Sequence, residues 1–149
     1  MKRSSIAALV VFFSVSAVVA QQDLVTTRIG IMKANARTMY GNLNQMVKEA
    51  KPYDQAAVDA ALAQLADSVP KIGPLYADST KGLKSPDGDF SATAKVWETK
   101  ADFDAHVASL IKAVSDAKAK ITSLDTLKVS YAAINNECNS CHETYRVKN

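Results

Sequence analysis

The apolar residues Leu124, Leu127, Tyr131, Ile134, Cys138, Cys141 and Tyr145 follow one another at alternating steps of three and four. That spacing places all seven on one face of an α-helix, so this stretch must pair with other helices to bury the stripe. Both cysteines of the chain lie on it. Whatever the thiols do, they do it from the buried side of a helix.

Three more stripes precede it. In residues 23–51 a heptad runs through Val25, Met32, Met39 and Met46 at one position and Ile29, Ala36, Leu43 and Ala50 at the other, and Pro52 ends the segment. Asp54 is positioned as the N-cap of a second helix with the stripe Val58, Leu62, Leu65 and Val69, closing near Pro70. Residues 71–91 contain Gly73, Pro74, Gly82, Pro86 and Gly88 and read as a long connection rather than a strand. The third stripe is Val96, Phe103, Val107, Leu110, Val114, Ala117 and Ile121. Four amphipathic helices without a strand pattern predict an all-α protein, an antiparallel four-helix bundle. Lys51-Pro52-Tyr53 and the Ala-Lys-rich stretch before Leu124 are compatible with short links, which favours up-down-up-down order.

The first twenty residues stand apart. Lys2 and Arg3 precede an apolar run from Ile6 to Val19, and Ala17-Val18-Val19-Ala20 closes it before Gln21. This is the pattern of a secretory leader, predicting cleavage after residue 20 and a single mature domain over 21–149 in an exported, periplasmic protein. The run falls short of the roughly 20 residues that span a bilayer. Without Lys2 and Arg3, 16 basic side chains face 15 acidic ones, and the formal charge drops from +3 to +1. No basic run suggests nucleic acid, and no later segment predicts a membrane span.

Cys138-Asn139-Ser140-Cys141-His142 is a C-x-x-C-H sequence. Two thiols at this spacing can each form a thioether to a haem vinyl group, and the histidine after them is placed to bind the iron. The alternatives are weaker. A disulfide between i and i+3 closes almost no loop, and a redox-active pair belongs at a helix N-terminus, whereas this one approaches a C-terminus. Cys138, Cys141 and His142 with the distant His106 make a poor zinc set. The expectation is one covalent haem c, held by Cys138 and Cys141, with His142 as proximal iron ligand.

The sixth iron position falls to the first helix if the fourth runs antiparallel to it. Met32, roughly 10 residues into that helix, lies about 15 Å from its start, whereas Met39 and Met46 lie about 10 and 21 Å beyond and read as core. Met32 is therefore the expected distal ligand. His106 beside the third stripe reads as a boundary residue. Arg28, one turn before Met32, and Arg146, one turn after His142, are candidates for pairing with haem propionates. Trp97, Phe103, Tyr131 and Tyr145 read as pocket or core packing, and the 71–91 connection is expected to cover part of the haem edge.

Taken together, Gln21-Gln22-Asp23-Leu24-Val25, the segment around Arg28 and Met32, Lys51-Pro52-Tyr53-Asp54, Trp97 and the C-terminal Cys138-Asn139-Ser140-Cys141-His142-Glu143-Thr144-Tyr145-Arg146 resemble class II c-type cytochromes, the cytochrome c′ family. Leu24-Val25, Met32-Lys33 and Tyr53-Asp54-Gln55-Ala56-Ala57-Val58 are most similar to its low-spin cytochrome c-556 group. The resemblance implies a four-helix bundle, His142 and Met32 on opposite faces of the iron, and homodimers in many members. The expected function is electron transfer between redox-partner proteins, without an enzymatic substrate. The alternative is a five-coordinate member that binds nitric oxide or carbon monoxide.

Overall fold

A computed structural model describes the backbone of residues 6–149 and the side chains of residues 21–149. The expected leader, 1–20, lies outside the residues whose side chains are described. Helix α1 (Ile6–Ala36) runs directly into a π-helical segment (Arg37–Leu43) and the short α2 (Asn44–Val47), forming one rod. Helix α3 covers Gln55–Ser68, strand β1 Phe90–Ala92, helices α4 and α5 Lys95–Glu98 and Lys100–Lys120, helix α6 Leu124–Tyr145 and strand β2 Arg146–Lys148. Among the described residues no helix is long and apolar enough to cross a membrane.

Cross-helix pairs establish the order. Tyr40 bonds Asn135 and Glu49 pairs with Lys128, so the first rod and α6 run in opposite directions. Asn35 meets Ser68 while Thr38 meets Gln64, which sets α1 antiparallel to α3. Tyr145 donates to Asp102 while Ser140 meets His106, giving the same relation between α6 and α5. Gln55 at the start of α3 donates to the carbonyl of Ile121, just past the end of α5. The bundle is up-down-up-down, as expected.

The four stripes meet in one core. Val25, Leu43, Val58, Leu62, Leu65, Val69, Val96, Phe103, Val114, Leu127 and Ile134 are each no more than 2% exposed. Met39 and Met46 are buried with them, in keeping with their reading as core. Asp54 caps α3 by accepting from the amide of Ala57, and Ser123 with Thr126 forms a capping box at the start of α6. A buried polar knot sits between α1 and α3, where Gln64 and Ser68 both donate to Asn35 Oδ1. It leaves the register of those helices little freedom, because a slip would strand buried polar groups.

Four local features differ from the sequence reading. The first helix does not begin near Asp23, since no proline or glycine interrupts residues 6–22. It also ends at Val47 instead of near Lys51: Glu49 adopts a left-handed conformation, and the amides of Glu49 and Lys51 donate back to Met46 and Gln45. The third helix breaks at Thr99, whose hydroxyl contacts both the Lys95 carbonyl and Tyr145 Oη.

The fourth difference is a two-stranded antiparallel ribbon, Phe90 opposite Lys148 and Ala92 opposite Arg146, where the sequence predicts a plain connection and a helix end. Three-residue strands are too short for alternation to register, and an isolated ribbon of this size is marginal. Here it is held from outside. Thr93 donates to the carbonyls of Tyr145 and Thr144, Arg146 lies over the Phe90 ring at 4.6 Å, and Ser91 donates to Asn149.

Leu127 is fully buried and Val129, two residues on, is 73% exposed. Leu127→Ala is expected to lower the unfolding free energy by about 3 kcal/mol, whereas Val129→Ala should stay within about 0.5 kcal/mol. Denaturant titration of the two variants checks the difference.

A cavity between the first and last helices

The C-terminal end of α6 does not close on its neighbours. A cavity of about 320 Å³ opens there, walled by α1 and the π segment on one side, by α6 and β2 on the other, and by the connection before α4. Arg28, Met32, Cys141, His142 and Arg146 all line it. The antiparallel pairing of the first rod with α6 puts residues over a hundred positions apart in sequence on one space. Cys138, one turn earlier on α6, is not among the residues that line it and packs against the core.

Both cysteines are free thiols, half-buried, and burial pushes each thiol up to about 11. At neutral pH they are neutral, unlike the low-pKa thiolate of a redox-active pair. His142 is shifted the other way: burial, helped by the nearby Arg146 guanidinium, lowers it to about 4. It is therefore a neutral imidazole, the form with a lone pair free for a metal.

Arg28 is 4% exposed. Its guanidinium lies 4.6 Å from the centre of the Tyr76 ring and donates one hydrogen bond, 3.3 Å, to Thr80 Oγ1. Burial lowers its pKa. Among the described residues no carboxylate pairs with it, and a buried cation without a counter-ion is costly. The cavity thus offers a largely apolar space, a neutral imidazole, a thiol on its wall and a guanidinium without a carboxylate partner among the described residues, a donor set that fits a haem carrying carboxylates.

Some lining residues have no signal in the sequence. Tyr40, 48% exposed, lines it from the π segment, where only the weak helix formers Gly41 and Asn42 hint at irregular winding. Tyr76, Asp87, Asp89 and Phe90 come from the connection, which supplies part of the wall. Phe103 and Tyr145 line the cavity edge to face, their ring centres 5.2 Å apart. Trp97 and Tyr131 pack on the core instead. His106 stands behind Tyr145, 5.7 Å ring to ring, in the boundary position expected of it.

The family model described as Cytochrome C′ matches residues 23–146. The chain is 45% identical over 148 residues to cytochrome c-556 of Rhodopseudomonas palustris, covering 99% of each. It is 37% identical over 146 residues to cytochrome c′ of the same organism, covering 97% of this chain and 95% of that one. The solved structure of oxidized R. palustris cytochrome c556 superposes with a TM-score of 0.75 at 44% identity, covering 86% of this chain and 98% of that one.

One ion pair links two walls of the cavity: Lys33 Nζ on α1 lies 2.6 Å from Asp87 on the connection. Asp87 also accepts from the Ser85 hydroxyl and the Asp89 amide, and with Lys33 these hold its carboxyl at about 2, below its ordinary 3.8. A carboxyl whose pKa is depressed on folding stabilises the fold above its unfolded value and loses that contribution as pH falls through its folded one. The difference in thermal stability between the holoprotein and Asp87→Asn should therefore be constant above about pH 4 and vanish by about pH 2. Melting curves across that range test this, and a difference independent of pH would show that the carboxylate charge is irrelevant.

Proposed function

The chain belongs to the cytochrome c′ family, and from that membership we propose that it is an exported electron carrier with a six-coordinate iron between His142 and Met32. Cys138 and Cys141 hold one haem c by thioethers from the wall of α6. His142, kept neutral by burial, is the proximal ligand. Arg28 supplies the counter-charge to a propionate from inside the bundle. Arg146, at the start of β2, supplies a second from the exposed side. The leader-like residues 1–20 support export to the periplasm.

When bound, haem c supplies a one-electron iron couple, and a thioether opposite imidazole favours its reduced state relative to a second imidazole. The protein's part is to fix both ligands and exclude water. Ile29, Ala36 and Phe103 give the space apolar walls, while Tyr145, buried and bonded to Asp102 and Thr99, holds the last turn of α6 rigid. With both axial positions taken by side chains, the site passes an electron between redox proteins and turns no substrate over.

The single observation carrying this reading is that Met32 and His142, from opposite helices, line one cavity. Oxidised holoprotein at neutral pH should show a sulfur-to-iron charge-transfer band that Met32→Ala abolishes, and only the variant should take up carbon monoxide rapidly when reduced. If the unsubstituted protein lacks the band and binds carbon monoxide as fast as the variant, it is a five-coordinate gas-binding member of the family.

A further inference from the structure

The first rod changes its winding once, at Arg37–Leu43, where the amide of Asn44 donates to the carbonyl of Met39 five residues back. On a 3.6-residue turn, four residues overshoot a full turn by about 40°. Along an unbroken α-helix the series Arg28, Met32, Ala36 and Tyr40 would drift by about 120°, within the arc that Ile29 and Lys33 also present to the cavity. The wider turn begins at Arg37 and takes back part of that drift for Tyr40, and all four residues line the cavity. The same segment leaves Met39 and Leu43 in the core, at 3% and 0% exposure. π turns are rare, and they concentrate at functional places.

Tyr40 lines the cavity and is 48% exposed. Its hydroxyl donates to Asn135 Oδ1 at 3.1 Å, and Asn135 stands on α6 one turn before Cys138. Among the described residues, the other polar side-chain tie between the first rod and α6 is the Glu49–Lys128 ion pair, at the far end of the rod. Both ties are exposed to solvent. The Tyr40–Asn135 bond is the one beside the cavity, where it joins the two helices that carry Met32 and His142.

We propose that Tyr40 is a positioning residue for the axial methionine: bonded to Asn135, it keeps the Met32 face of the first rod seated against the His142 end of α6. This rests on the six-coordinate reading above. Methionine has three rotatable bonds and adapts to whatever space it is given, so its own conformation does not determine whether the sulfur stays on the iron. The distance between the two backbones does.

The test is the rate at which reduced holoprotein binds carbon monoxide, which requires the sixth position to be free. Tyr40→Phe removes the hydroxyl alone, and Asn135→Ala removes its acceptor. Each should accelerate carbon monoxide association about fivefold, the equivalent of one net hydrogen bond, and the double variant should be no faster than either single one. Met32→Ala marks the fast limit of the scale, and far-UV circular dichroism confirms that the helices persist.

Association within twofold of the unsubstituted rate in Tyr40→Phe, or additive effects in the double variant, would overturn the assignment of Tyr40 while leaving Met32 as ligand. An unsubstituted protein already as fast as Met32→Ala would instead overturn the six-coordinate reading, and the role of Tyr40 with it.

Discussion

The buried stripe of α6 is the constraint on which the other features depend. Leu127 and Ile134 are sealed completely, and sealing them draws the first rod and α5 against α6 at the end distant from the cavity. Further along the same stripe the residues are Cys138 and Cys141, and there the walls part. A close-packed interior tolerates few voids, so an apolar opening at the end of an otherwise sealed seam is a place kept for something. Because the stripe is continuous, the thiols and His142 are fixed in direction by the same packing that folds the bundle.

The charges around this opening divide by burial. Arg28 has given up its hydration for a ring face and one hydroxyl, and a carboxylate entering the cavity would find it without a counter-ion among the described residues. Lys33 with Asp87 is solvent-facing, and exposed pairs contribute little to stability. It acts instead as a local tie between α1 and the connection. A haem bringing a propionate to Arg28 would relieve a cost the polypeptide bears alone, which would tie cofactor binding to folding.

Which parts of this were legible in the sequence follows from the length over which each signal is written. The stripes of α3, α5 and α6 repeat over three or more turns and gave the bundle, its order and nearly all of its core. Cys138, Cys141 and His142 are contiguous, and Met32 followed from antiparallel geometry acting on a heptad. The ribbon of Phe90–Ala92 with Arg146–Lys148 was not legible, because three-residue strands show no period and their stabilisation comes from Thr93 and Arg146 reaching across the fold. The left-handed Glu49 is a local helix cap without the glycine that usually marks one, and the break at Thr99 is tied to Tyr145 across the fold. The π segment escaped for a subtler reason: Val25, Met32, Met39 and Met46 keep a seven-residue spacing through it, so the apolar pattern reads as though the winding never changed.

That coincidence bears on how such a site can be tuned. A seven-residue repeat lags by about 20° per heptad on a straight α-helix, and a wider turn adds to the lag. Just past Met32 the rod nevertheless holds Met39 and Leu43 in the core while Tyr40 lines the cavity. Core packing and cavity geometry are therefore settled by the same few peptide units. The π segment thus carries buried core residues and, in Tyr40, a side chain bonded to α6 beside the opening. Were Met32 to bind a haem iron, its fit would depend on the packing of this backbone as well as on its own identity.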